Sequence, residues 1–245
     1  MRGRLFVFGL LFIIIITSCS KGGVNVSKLE KKDELFYLRG KSKPFTGKAF
    51  MLDHNNVKTY EVEIKNGKYD GLRTGWYKAE SKQFEEHYQA GILNGLKTSW
   101  YKNGQKKYEI NYKDGEMDGL TTNWFNDGIK ESEINYKNGL YNGLVTYWFP
   151  NGKKKSETYY KDGIKDSLVT VWYENGQIKY EANYKDNKLN GLKTEWFENG
   201  QKKSEANFKD DYLDGMKTIW YENGKVKYKG KYKDGRIIKT IVSSK

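Results

Sequence analysis

Apolar and polar residues alternate along most of this chain, and a reversal signal follows each run. Between Gly191 and Asp214, Leu192, Thr194 and Trp196 alternate with Lys193, Glu195 and Phe197. Asn199-Gly200 follows, and then Ser204, Ala206 and Phe208 alternate with Glu205 and Asn207. A period of two puts every second side chain on one face of a strand. An Asn-Gly between two such runs marks a hairpin. The pattern recurs with tryptophan as its marker: Trp76, Trp100, Trp124, Trp148, Trp172, Trp196 and Trp220 are each 24 residues from the next. A fixed period of this size signals a repeat architecture, in which each unit is too small to fold alone and buries itself against its neighbours. The expected fold is all-β, built of tandem β-hairpin repeats of 24-residue period.

Within a unit, a three-residue loop, Glu198-Asn199-Gly200, with glycine in the left-handed region and a bulge after it, keeps Trp196 on the face of the Ala206 set. That register sets Lys193 across from Glu205 and Lys97 across from Glu109. A second turn reads Tyr112-Lys113-Asp114-Gly115-x-x-Asp118-Gly119 and recurs from Tyr136 to Gly143. Its glycines permit positive φ where the chain reverses. Asn187 and Asp211 replace the first glycine, Ser167 replaces the second, and Ala79-Glu80 replaces an Asn-Gly. Asn and Asp tolerate the left-handed region best after glycine. Counting back from Trp76 reaches Leu52, and Tyr60, Val62 and Ile64 fit the second-strand columns, so a diverged unit starts near Gly47. About eight units then fill 47–238. Residues 35–46 read as an N-terminal capping strand and 239–245 as a C-terminal strand or tail, with Ile237, Ile238, Ile241 and Val242 capping the edge.

The first residues change the picture from fold to location. Arg2 and Arg4 precede an apolar run from Leu5 to Ile16, too short to span a bilayer as a stable helix. Ile16-Thr17-Ser18-Cys19 then resembles a bacterial lipobox. The resemblance implies a signal peptide over 1–18, cleavage before Cys19, acylation of that cysteine and a lipidated tether over 19–34. Several acyl chains anchor firmly, so the expected place is the cell envelope, lipid-anchored, with the outer membrane favoured because Ser20 is not Asp. Cys19 is the only cysteine, so no disulfide is expected.

The run Tyr-Lys-Asp/Asn-Gly-x-x-Asp/Asn-Gly, followed by Leu-x-Thr-x-Trp-Tyr/Phe-x-Asn-Gly, resembles the MORN repeat in the variant form common in bacterial proteins. The resemblance spans about Gly47 to Ile238. It implies hairpins side by side in one long, twisted antiparallel sheet, and a use in binding and scaffolding. One bacterial subset with these repeats is described as the antitoxin part of a toxin–antitoxin module, and the resemblance names no site for that role.

Composition narrows the chemistry. Aromatic residues make up 16% of the chain, which excludes a disordered chain. The formal charge is +13, but Lys is interspersed with Glu and Asp throughout, as on a solvated surface. The two histidines, His54 and His87, fall in different units, and no metal-ligand spacing, nucleophile triad or phosphate loop stands out. The glutamates of the column Glu61 to Glu205 are about 10 Å apart by strand geometry, too far for a carboxylate pair. No enzyme, metal or cofactor is expected. The tryptophans read as a structural ladder. The column beside them, Tyr77, Tyr101, Phe125, Phe149, Tyr173, Phe197 and Tyr221, reads as an exposed stripe for a protein partner or as cross-strand packing. The alternative partners are anionic lipid or glycan, met by the lysines and the aromatic face; nucleic acid conflicts with export.

Overall fold

In a computed structural model of the chain, residues 22–77 and 81–243 are described. The expected signal peptide, Cys19 and Ala79-Glu80 lie outside them. The strands are β1 (Val24–Asn25), β2 (Leu29–Lys32), β3 (Leu35–Leu38), β4 (Gly47–Leu52), β5 (Lys58–Lys65), β6 (Lys68–Trp76) and β7 (Lys82–Gln89). They continue as β8 (Ile92–Trp100), β9 (Lys106–Lys113), β10 (Glu116–Trp124), β11 (Lys130–Lys137), β12 (Leu140–Trp148), β13 (Lys154–Lys161) and β14 (Ile164–Trp172). The last are β15 (Ile178–Lys185), β16 (Lys188–Trp196), β17 (Lys202–Lys209), β18 (Tyr212–Trp220), β19 (Val226–Lys233) and β20 (Arg236–Ser243). From β4 onward each strand pairs antiparallel with the next. With β1 added parallel to β4, they form one sheet of 18 strands. The all-β repeat fold is as the sequence implies.

The hairpin loop also forms as expected. The Phe197 amide donates to the Gln201 carbonyl (2.8 Å) and the Gly200 amide to the Phe197 carbonyl (2.9 Å), with Gly200 at φ 84°. The register beyond it differs. Trp196 pairs with Lys202, but Glu195 pairs with Ser204, so Lys203 is an extra residue. This second bulge slides the strands by one. Thr194, not Lys193, faces Glu205; Lys193 faces Ala206, and Lys97 faces Ile110 rather than Glu109. Trp196 therefore shares its face with Leu192, Thr194 and Glu205, and the Ala206 set lies on the other.

The second motif is also two devices rather than one turn. Lys113 pairs with Glu116, so the chain reverses within Asp114-Gly115 alone, at φ 50° and 87°. Both residues at positive φ make the turn that suits hairpin twist. Asp118-Gly119 lies inside β10, where Tyr112 pairs with Met117 but Ile110 with Thr121. The extra residues bulge out, and Gly119 takes φ 107°. The Asn111 side-chain amide donates to the Leu120 carbonyl there (2.7 Å). Asn135 and Asn183 do the same for Leu144 and Leu192, and His87 Nδ1 meets the Leu96 carbonyl at 2.7 Å. Asn187 and Asp211 adopt φ 65° and 70°, the left-handed geometry expected of them. Where Ser167 replaces glycine, Tyr159 replaces the asparagine, and Ser167 Oγ donates to the Tyr159 carbonyl (3.3 Å).

The register gives the sheet two unlike faces. One repeats itself: Leu72 to Leu192, Thr74 to Thr218, the Trp ladder and Glu61 to Glu205 keep their residue types from unit to unit, apart from Met216 after the leucines. The other changes. Arg73, Lys97, Thr121, Val145, Val169, Lys193 and Lys217 occupy one column; Glu86, Ile110, Ile134, Thr158, Ala182 and Ala206 pair with it.

The N-terminal stretch is not a free tether. Of residues 19–34, the described part supplies β1 at the sheet edge and β2, which pairs with β3 in a separate hairpin. Buried Leu29 and Phe45 join Ala49, Val62 and Ile64 in a core, with Phe36 and Leu38 packed against it. The capping strand expected over 35–46 thus works as half of a hairpin laid on the changing face. At the other end, β20 starts at Arg236, so a boundary after Ile238 falls inside a strand. Ile237, Ile238 and Ile241 remain about half exposed there.

Candidate functional site

The tryptophans end the first strand of successive hairpins and stand on an open face. All seven are half-buried rather than enclosed. Lys82 Nζ lies 5.6 Å from the centre of the Trp100 ring and 2.7 Å from Glu85 Oε1. Glu85 in turn pairs with Thr74 on one side and buried Thr98 on the other. Each rung is therefore a lysine that covers the next unit's indole and is held by its own strand's glutamate, a cation–π contact with an ion pair behind it. The arrangement recurs at Trp76, Trp124, Trp148, Trp172 and Trp220, with Nζ-to-centre distances of 5.5, 5.7, 5.9, 5.8 and 5.9 Å. At Trp196 the residue in the lysine position is Ile178.

The stripe beside the ladder is less open than alternation implies. Tyr77, Tyr101, Phe125, Phe149, Tyr173 and Phe197 are half-buried, and Tyr221 is exposed. The hydroxyls of Tyr77, Tyr101 and Tyr173 donate to the carbonyls of Trp100, Trp124 and Trp196 in the next unit, at 3.0, 2.8 and 2.9 Å. Lys107, Lys155, Lys179, Lys203 and Lys227 lie over Tyr101, Phe149, Tyr173, Phe197 and Tyr221. The three tyrosine hydroxyls tie one hairpin to the next, and the lysines cover rings of their own hairpin.

The changing face holds two clusters that the sequence reading passed over. In the middle, Tyr141 makes edge contacts with Tyr136 and Tyr160, with ring centres 5.1 and 5.2 Å away. Tyr147 stands near them, over buried Ile134, Val145 and Val169. Burial first, and then the neighbouring Tyr141, push the Tyr136 and Tyr147 hydroxyls up to about 12. Nearer the N-terminus, Arg73 donates to Glu86 (2.5 Å) and to the Tyr60 hydroxyl (3.1 Å), and lies over the Tyr60, Tyr69 and Phe84 rings. Lys97 approaches the other Glu86 oxygen at 3.1 Å, and Tyr88 donates to Glu86 (3.2 Å). Burial works against the Glu86 charge, yet the hydrogen bond from Lys97 and the charge of Arg73 hold its carboxyl below the usual range. The signal for this cluster was in the columns: glutamate stands where other units have Val, Ile, Thr, Ala or Gly.

His87 is committed to the Leu96 carbonyl. Among the described residues no group of three or more His, Cys, Asp or Glu is placed to hold a metal ion, and no helix is long and apolar enough to cross a membrane.

Stacked hairpins with a self-similar face and a varied face define a tandem β-hairpin repeat protein. The family model described as MORN repeat variant matches residues 93–114, 117–138, 141–162, 165–186, 189–210 and 213–234. That is more than half of the chain, and the chain belongs to this family. Each matched stretch begins within the first strand of a hairpin and ends in the Asp/Asn turn after the second. No curated protein matches the chain.

Proposed function

We propose that this protein is a lipid-anchored scaffold of the cell envelope that captures another protein on the changing face of its sheet. The observation that carries the reading is the contrast between faces. Columns that only stack units together can stay the same in every unit, whereas a recognition surface needs different side chains at successive positions. The Tyr136–Tyr141–Tyr147–Tyr160 patch, with apolar residues beneath it and charged units on either side, has the make-up of an interface centre with a polar rim. The chain itself supports the kind of occupant: the β2–β3 hairpin sits on the first part of this face, with Phe36 stacked on Tyr69 at 5.3 Å. A partner strand or hairpin that presents alternating apolar side chains fits the same face further along. Neutralising a toxin is one version of such capture.

Cross-linking pull-down from intact cells tests the site. Tyr141→Ser, Tyr147→Ser and Tyr160→Ser together are expected to abolish capture and leave the fold intact. Tyr101→Ser, Phe125→Ser and Phe149→Ser are expected to lower stability instead; if only this second set abolishes capture, the stripe carries the binding. Globomycin-sensitive processing that requires Cys19 tests the anchor. A second reading, contact with anionic lipid or glycan, is favoured by the +13 charge and by Lys102, Lys106, Lys107 and Lys153 to Lys155 at the hairpin loops. It predicts binding that collapses between low and physiological salt.

A further inference from the structure

A cavity of about 370 Å³ lies where the β2–β3 hairpin meets the sheet. Val26, Leu29, Phe36, Met51, Val62 and Ile64 give it an apolar lining, and Tyr60, Tyr69 and Arg73 form its polar end. Its size is that of a small-ligand pocket, and its make-up, mostly apolar with a few converging polar groups, is the usual one. The charges at the polar end do not balance. Arg73 and Lys97 share the single carboxylate of Glu86, which is 6% exposed, so one positive charge is left over in a half-buried position. The other ions on the wall are matched: Glu30 pairs with Lys32 at 2.9 Å and Lys31 with Glu34 at 2.5 Å. Among the described residues this combination occurs once. Elsewhere along the face the Glu86 position carries Val, Ile, Thr, Ala or Gly, and only the first units lie under the hairpin.

We infer that this cavity binds a single-chain amphiphile with one negative charge, its hydrocarbon body between the hairpin and the sheet and its anionic head against the Arg73 guanidinium. An anionic head completes the cluster, since two cations then face two anions, and a guanidinium offers a carboxylate or phosphate a forked pair of donors. A cationic head meets the surplus charge and is rejected. A short anion without a chain leaves the apolar wall unfilled.

The test is titration calorimetry on the full chain with dodecanoate below its micellar concentration. Dodecyl maltoside, dodecyltrimethylammonium and acetate separate head from body, and dodecyl phosphate compares the two anionic heads. Saturable binding of dodecanoate at one site per chain is expected, with dodecyl maltoside weaker by about 10-fold or more and no measurable binding of the cation or of acetate. Arg73→Met leaves Glu86 paired with Lys97, so the fold is kept and the surplus charge is gone; its affinity for dodecanoate should fall to that for the maltoside. Arg73→Lys keeps the charge and should retain a large part of the affinity. Should Arg73→Met unfold the chain, Met51→Glu, at a partly exposed wall position, sets a like charge in the cavity and should weaken dodecanoate by about 10-fold. Non-saturable binding, equal affinity for the carboxylate, maltoside and trimethylammonium head groups, or dodecanoate binding unchanged by both substitutions would overturn the assignment.

Discussion

The two faces of this sheet are made by the same strands and obey different rules. On the repeating face, Thr, Trp and Glu meet a residue of the neighbouring unit: the lysine held by Glu85 covers Trp100, and buried Thr98 lies between Glu85 and Glu109. A change in one unit is felt by its neighbours. On the other face, Val145 in one unit and Lys193 two units on fill the same column, so stacking does not dictate the residue. A sheet one layer thick can thus divide its labour, one side holding the repeat together and the other free to carry chemistry.

The sharpest way to break the repeating side is at its bulge. Gly119 sits at φ 107°, and a Cβ there would lie 3.3 Å from the Asn111 Cβ. Gly119→Val is expected to cost about 2–3 kcal/mol in denaturant unfolding. Trp124→Ala comes next, at about 2 kcal/mol rather than the 3–5 of an enclosed aromatic, because the ring is half-buried. Lys106→Ala, which uncovers that ring, should cost about 0.5–1 kcal/mol. The missing rung offers the reverse: Ile178→Lys beside Trp196 should stabilise the chain by about 0.5 kcal/mol. Tyr147→Ser on the changing face should alter stability least of all, although it is placed at the centre of the proposed interface.

Acid sharpens the contrast in another way. Glu86 is the buried carboxylate of the changing face, and its folded pKa is held down. The stability it contributes is fully present above its unfolded value of about 4.3 and is lost as pH falls through the lower folded value. Glu86→Gln should flatten the acid limb of the unfolding curve in that window.

Much of the fold was legible in the residues. The Trp spacing defines the unit, Asn199-Gly200 places the loop, and Asn187 and Asp211 behave as their left-handed preference implies. The faces were not legible, because bulges are backbone events without a residue signature. Nothing in Lys202-Lys203 marks one lysine as extra, and Asp118-Gly119 reads like a turn when it is a fold in mid-strand. One missed residue moves every side chain after it to the other side, which is why Lys193 was set against Glu205. Alternation leaves the stripe at Tyr101 open to partner binding or to cross-strand packing, since it cannot show a hydroxyl reaching the Trp124 carbonyl. The Arg73–Glu86–Lys97 cluster was visible only as a break in a column whose face was misassigned.

The division of faces rests on that register, and paired cysteines read it directly. In a Cys19→Ser background, Thr98→Cys with Glu109→Cys should form a disulfide readily under mild oxidation, because the two residues are directly opposite on one face. Lys97→Cys with Glu109→Cys should not, since their side chains leave the sheet on opposite sides. Cross-linking of the second pair and not the first would contradict the account.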